Sequence, residues 1–128
     1  MKKKIGIHWF RNDLRTIDNP SLNHLSRNYE NVLGVYIFDE VNTDPKLGSA
    51  SKVWLNHSLK YLKKQLNGNL IILKGNPKEC FDELINFFDV QEVSWNRCYE
   101  PWIIKRDKSL KIYLNEKIKV NSFNGSLL

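Results

Sequence analysis

Short apolar and β-branched runs alternate along the chain with longer segments that have helical apolar spacing. Five runs have the length and composition of strands: 4–9, 32–38, 70–74, 90–95 and 117–123. Strands that are separated by helix-length segments favour right-handed crossovers and a parallel sheet covered on both faces. The pattern therefore predicts a doubly wound, Rossmann-like α/β domain with a five-stranded parallel sheet and helices on both faces.

Four helices are predicted from their caps and their apolar spacing. They are expected over 20–27 with Asn19 as N-cap, from Ser49 or Ser51 to Leu66, from Pro77 through Phe88, and over 103–115. The side chains expected to face the sheet are Leu55, Leu59, Leu62, Leu66, Phe81, Leu84, Ile85, Phe88, Leu110, Tyr113 and Leu114.

The order of the strands predicts where a ligand would bind. If the first strand is central, the order is 3-2-1-4-5, and the switch point lies between the first and fourth strands. The loops that follow these strands are 10–19, which carries Arg11, Asp13, Arg15 and Asp18, and 96–101. We expect both loops to border one crevice at the carboxyl ends of the strands.

Composition narrows the class of protein. A chain of 128 residues is the size of one domain, and it has no apolar stretch near the ~20 residues that a bilayer span requires. The start Met1-Lys-Lys-Lys lacks the apolar region and cleavage site of a signal peptide. Two cysteines and three scattered histidines give neither a disulfide framework nor metal-ligand spacing. We therefore expect a cytoplasmic protein with no membrane role and no metal.

Charge and motifs exclude several kinds of activity. The net charge of +6 permits weak contact with phosphate backbones, but its Lys and Arg residues are spread along the chain, so direct nucleic-acid binding is not predicted. The chain has no Gly-x-Gly-x-x-Gly, no Gly-Lys-Ser/Thr loop and no Gly-x-Ser-x-Gly elbow. Dinucleotide binding, phosphoryl transfer and hydrolysis are therefore disfavoured, and no catalytic residue is predicted.

The second loop has the chemistry to hold a flat heterocycle. Glu100 could accept hydrogen bonds from the amide and amino edge of a pterin or flavin-like ring, and Tyr99 or Trp102 could supply a stacking face. The first loop could carry function as well. Alternatively, Arg11, Asp13 and Arg15 could pair with one another and with loop carbonyls.

Four segments resemble the DNA photolyase and cryptochrome family, in the expected order. The segment from His8 to Leu22 resembles the opening motif W-F-R-x-D-L-R-x-x-D-N-x-x-L, and 47–59, 73–77 and 95–101 resemble later ones. The resemblance implies that 1–128 is the amino-terminal α/β domain of a deoxyribodipyrimidine photolyase, which holds a light-harvesting antenna. It also implies that a helical domain, absent from these residues, binds FAD and damaged DNA, so this chain alone would not repair DNA.

The resemblance also assigns candidate cofactor-binding residues. Glu100 matches the family's antenna-contacting glutamate, and Asn96, Cys98 and Tyr99 occupy the rest of its loop. Arg11 and Asp13 match the family's Arg-x-Asp-Leu-Arg motif, where a scaffold and domain-contact role is also expected. Cys98 stands where some deazaflavin binders have an aspartate, which favours methenyltetrahydrofolate over a deazaflavin or FMN.

Other functions remain open from the sequence. The chain could belong to a cryptochrome-type blue-light sensor, or be a free-standing chromophore-binding module that pairs with a separate flavin protein. A nucleotide-binding relative of the same architecture would need a phosphate-cradling loop, which the sequence lacks. The apolar end at Leu127 and Leu128 leads us to expect further chain or a partner there.

Overall fold

Five strands and four helices alternate along the chain. The computed structural model describes residues 4–11, 14, 16–38, 49–97 and 101–124, apart from the side chains of 49–54 and 102. The elements are β1 (Lys4–Phe10), α1 (Pro20–Asn28), β2 (Val32–Phe38), α2 (Ser49–Gln65), β3 (Leu70–Lys74), α3 (Pro77–Phe87), β4 (Asp89–Asn96), α4 (Pro101–Asn115) and β5 (Lys119–Phe123). None of the helices in these ranges is long and apolar enough to cross a membrane.

The strands form one parallel sheet in the order β3-β2-β1-β4-β5, which confirms the predicted topology. Central β1 pairs with β2 on one side and with β4 on the other, with a register shift in the β4 pairing between Ile5 and Gly6. Because the strands are parallel, all their carboxyl ends lie at the same edge of the sheet. The loops after β1 and β4 therefore start next to each other.

Local sequence explains where the helices begin. Asn19 caps α1 by accepting a hydrogen bond from the Leu22 amide at 3.0 Å, and Asn76 caps α3 by accepting one from the Lys78 amide at 2.9 Å. A proline follows each cap, where its missing N–H costs nothing. Helix α4 also begins with a proline, Pro101, which lies two residues before the predicted start. Strand β5 begins at Lys119 instead of residue 117, because the amide of Lys117 still bonds the Leu114 carbonyl at 2.9 Å.

The helices cover both faces of the sheet. On the α3–α4 face, Trp9 and Trp95 pack with Phe81 and Leu114 in the larger apolar cluster. On the α1–α2 face, a smaller cluster surrounds Phe10. The predicted inward positions are confirmed: Leu59, Leu62, Phe81, Leu84, Leu110 and Leu114 are buried, and Leu55, Leu66, Ile85, Phe88 and Tyr113 are partly buried against these clusters.

Candidate functional site

Arg11 joins the two strands that border the predicted crevice. Its Nη2 donates a hydrogen bond to the carbonyl oxygen of Asn96, the last residue of β4. Its Nη1 donates to Oδ2 of Asp107 on α4, and both side chains of this ion pair are almost entirely buried. A buried guanidinium bound to a carboxylate and a carbonyl is a strong, directional contact. Arg11 thus fixes the carboxyl ends of β1 and β4 to each other and to α4.

The guanidinium of Arg11 also makes cation–π contacts with two aromatic rings. The guanidinium carbon of Arg11 lies 5.0 Å from the centroid of the Trp9 ring and 5.9 Å from that of Trp95. Arg106 stacks on Trp9 as well, at 5.1 Å, and its Nη2 lies 3.4 Å from Asp107 Oδ1. Because the rings are buried, the cation–π attraction acts in partly desolvated surroundings, where it is strongest.

Asn96 is held on the opposite face of the sheet. Its Oδ1 accepts a hydrogen bond from the Ser21 amide at 3.1 Å, and its Nδ2 donates to Asn19 Oδ1 at 2.7 Å. Asn19 is itself the N-cap of α1, so one amide pair connects the end of β4 to the start of that helix. The side chain and carbonyl of Asn96 are therefore both fixed at the start of the 96–101 loop.

A buried polar row continues along the α1–α2 face. His8 on β1 places Nδ1 2.8 Å from Ser21 Oγ, and that hydroxyl lies 2.6 Å from Ser94 Oγ on β4. All three residues are fully buried. Buried polar groups of this kind are tolerated when they are hydrogen-bonded. The row fixes the N-terminal end of α1 over the central strands.

Glu92 is the charged member of the same face. Its carboxylate accepts hydrogen bonds from Tyr29 at 2.9 Å, His24 at 2.7 Å and Asn121 at 2.7 Å, and Lys119 Nζ lies 3.9 Å away. Burial acts to raise the pKa of Glu92, but the hydrogen bonds from Asn121, Tyr29 and His24 outweigh it, so the pKa is lowered. Glu92 thus stays ionised beneath α1.

A groove of about 670 Å³ lies beside this face, between α1 and the end of β5. Its lining includes the polar or charged side chains of Asp18, Asn23 and Arg27 and the ring of Phe123. The Phe123 ring packs on His24 with the centroids 5.0 Å apart. The groove therefore adjoins the Glu92 cluster.

The structure brings two of the predicted cofactor-binding residues together and leaves the others untested. The Arg11 side chain contacts the main-chain carbonyl of Asn96, whereas the Asn96 side chain lies on the opposite face of the sheet. Asp13, Cys98, Tyr99 and Glu100 lie outside the described residues, so their assignment stays a prediction.

The sequence analysis missed the buried polar partners. Asp107, Glu92 and the two buried serines, Ser21 beside His8 and Ser94 beside Ser21, are not among the predicted site residues. One signal was available: Glu92, Ser94 and Asn96 alternate with Val93 and Trp95, which indicates a strand with one polar face.

The model of the family described as DNA photolyase matches residues 6–128 of the chain. The chain belongs to the DNA photolyase family. Curated members include the deoxyribodipyrimidine photo-lyase of Agrobacterium fabrum, which is 38% identical over 126 residues, with 95% of this chain and 26% of the relative covered. Cryptochrome-2 of Arabidopsis thaliana is 35% identical, with all of this chain and 22% of the relative covered. The resemblance noted in the sequence is thereby confirmed.

Solved structures of family members share the fold. A class III photolyase from Agrobacterium tumefaciens superimposes with a TM-score of 0.87 at 35% identity, covering 98% of this chain and 26% of that one. An archaeal photolyase from Sulfolobus tokodaii, whose structure contains two FAD molecules and implies a novel light-harvesting cofactor, gives a TM-score of 0.82 at 25% identity, covering 94% and 29%. The chain is a photolyase amino-terminal α/β domain, and it spans about a quarter or less of the length of the curated relatives it matches.

Proposed function

We propose that this domain binds a light-harvesting antenna chromophore in the crevice between the loops after β1 and β4. The observation that carries the proposal is the Arg11 contact, which fixes the end of β1 against the last carbonyl of β4 at the switch point of the sheet. Open α/β sheets bind ligands at this place. The 96–101 loop therefore starts from a position suited to ligand contact.

The donor and acceptor set of that loop fits a flat, nitrogen-rich ring. The carboxylate of Glu100 would accept hydrogen bonds from the ring edge, and Tyr99 would offer a stacking face. Asn96 and Arg11 use their polar atoms on protein partners, so their role in the proposal is to orient the loop. A bound antenna would absorb light and pass the excitation energy to a flavin.

Methenyltetrahydrofolate is the proposed chromophore, in preference to a deazaflavin or FMN. The supporting feature is Cys98, which stands where some deazaflavin binders of the family have an aspartate. The Sulfolobus tokodaii relative, with its two FAD molecules, makes a flavin the alternative to test.

The proposed cellular role is light-dependent repair of pyrimidine dimers in the cytoplasm. The flavin chemistry and the contact with damaged DNA would belong to a helical FAD-binding domain on which this domain docks. The Agrobacterium fabrum photo-lyase supports this proposal. The chain is 38% identical to it but matches only 26% of its length, so most of that relative corresponds to other parts of the protein. We expect no repair activity from the 128 residues alone.

A blue-light sensor is the second candidate, because a plant cryptochrome is 35% identical to this chain. The two functions differ in the outcome of a repair assay on dimer-containing DNA, carried out with a flavin-domain partner under blue light. Dimer loss supports repair, whereas photoreduction without dimer loss supports a sensor.

An absorbance titration tests the chromophore site. The purified chain is titrated with methenyltetrahydrofolate, a deazaflavin and FMN, alone and with the flavin-domain partner. Glu100→Ala should weaken folate binding about ten- to hundredfold, the loss expected for a hydrogen bond to a charged group.

Glu116→Ala is the matched control, because it removes an exposed carboxylate from the turn that follows α4. Unchanged folate affinity in Glu100→Ala, or loss of its cooperative thermal transition, would contradict the assignment of Glu100 to the ligand.

A further inference from the structure

Two cationic side chains meet on one neutral hydroxyl at the edge of the sheet. The Arg97 Nε donates a hydrogen bond to Ser122 Oγ at 3.2 Å, and the Lys111 Nζ donates to the same oxygen at 3.3 Å. Arg97 follows β4, Lys111 lies on α4 and Ser122 on β5. Two positive charges from different parts of the fold thus meet at one hydroxyl on a third.

No carboxylate neutralises this pair within the described part of the chain. Its ion pairs involve neither Arg97 nor Lys111. The nearest acidic residue on α4, Asp107, is occupied by Arg11 and Arg106. Two cations beside one neutral oxygen, with no carboxylate to balance them, leave a local excess of positive potential.

The backbone keeps the cluster in place. The Arg97 amide donates to the Phe123 carbonyl at 2.7 Å, and Arg97 Nη1 donates to Asn124 Oδ1 at 2.9 Å. These contacts join the ends of β4 and β5, so Arg97 and Ser122 are fixed relative to each other. The main chain of Arg97 is thus fixed by the fold, and its exposed side chain is held by the hydrogen bonds to Ser122 and Asn124.

Several donors in the cluster remain available for an anion. Ser122 Oγ accepts two hydrogen bonds, which leaves its own O–H free to donate. The ammonium of Lys111 keeps two further N–H groups, and the outer Nη2 of Arg97 lies beyond its two contacts. A guanidinium, an ammonium and a hydroxyl together match the oxygens of a phosphate group.

We propose that Arg97, Lys111 and Ser122 form a binding site for the phosphate group of a small ligand. The site lies on the α3–α4 side of β5, because Lys111 of α4 reaches Ser122 there. It does not depend on the antenna assignment, because inorganic phosphate alone probes it.

Calorimetric titration with inorganic phosphate at low, constant ionic strength tests the site. Arg97→Gln and Lys111→Gln should each weaken phosphate binding about three- to tenfold, as expected for one partly exposed charged contact. The matched control is Lys108→Gln, which removes an exposed charge from the same helix and should leave the affinity unchanged. Equal losses in all three variants, or no phosphate binding by the unmodified chain, would overturn the site.

Ser122→Ala separates a built site from general attraction, because it changes no charge. We expect weaker phosphate binding in this variant, with thermal unfolding checking that it remains folded. Unchanged affinity would show that only the positive potential matters and would overturn the site.

Comparison of FMN with riboflavin identifies the source of the phosphate. A preference for FMN that disappears in Arg97→Gln supports a phosphate carried by a flavin nucleotide. Equal binding of FMN and riboflavin, with inorganic phosphate still bound, supports a site for free phosphate.

Discussion

The central strands β1 and β4 present two different surfaces to the helices that cover them. Toward α3 and α4 they present Trp9, Val93 and Trp95, which pack in the larger apolar cluster. Toward α1 the same strands present His8, Glu92, Ser94 and Asn96, all buried and hydrogen-bonded. Apolar burial is strong but non-directional, whereas a hydrogen bond adds little net stability and requires one geometry. The face toward α3 and α4 therefore supplies most of the stability. The face toward α1 fixes the positions of that helix and of the first residues of the loops after β1 and β4.

The largest effect is expected from the apolar face. Trp95→Ala should lower the free energy of unfolding by about 3–5 kcal/mol, since it removes a large buried ring. Urea denaturation followed by circular dichroism measures the change. Phe87→Ala is the control, because that ring is 72% exposed and its loss should cost no more than ~0.5 kcal/mol. A similar loss in the two variants would contradict the assignment of this face as the source of stability.

A smaller effect that depends on pH is expected at Glu92. Its pKa is lowered in the folded state, so its contribution is fully present above the ordinary pKa of a glutamate and is lost as the pH falls through the lowered value. The groups facing it are His24 and Tyr29 from α1 and Lys119 and Asn121 from β5.

Stability curves of Glu92→Gln from neutral to acid pH test this. The variant should lose about 1–3 kcal/mol at neutral pH and show a flatter decline in acid than the unmodified chain. Glu116→Gln, at an exposed position, should retain the original decline. Parallel curves for Glu92→Gln and the unmodified chain would rule out the Glu92 contribution.

The smallest effect is expected at Tyr29. Burial, the hydrogen bond to Glu92 and the negative charge of Glu92 raise the pKa of Tyr29 to about 12. Its contribution to stability is therefore present below the ordinary tyrosine pKa of about 10 and is lost as the pH rises to about 12.

Phenolate absorbance and thermal unfolding measure the effect of Tyr29→Phe. This variant should lack the absorbance step near pH 12 and lose about 1 kcal/mol of stability at neutral pH. Tyr61→Phe, at a position 65% exposed, should keep the step. A step that survives in Tyr29→Phe belongs to another tyrosine.

The fold could be predicted from the sequence because its signals are local. Asn19 and Asn76 cap helices whose first turns lie within three residues, and the apolar spacing of α2 and α3 depends only on neighbouring positions. The strand order is predicted by placing the first strand at the centre of the usual doubly wound order. These features require no knowledge of distant contacts.

The polar side of the site could not be predicted because its partners are distant in sequence. Asp107 lies 96 positions from Arg11, and Asn96 lies 77 positions from Asn19. A single sequence gives the residue types but not these pairings. The 90–95 run is predicted only as a strand, whereas two of its six side chains, Glu92 and Ser94, are buried as polar partners of α1 and β5.

The anchoring of Asn96 and Arg97 has an entropic consequence. The Asn96 side chain is bound under α1, its carbonyl is bound by Arg11, and the next amide is bound to Phe123. Fixing a chain segment before a ligand arrives removes part of the ordering cost that binding would otherwise incur. For the proposed antenna, the end of β4 would thus be a pre-organised platform, and loosening any one of the three anchors should lower antenna affinity without removing a ligand contact.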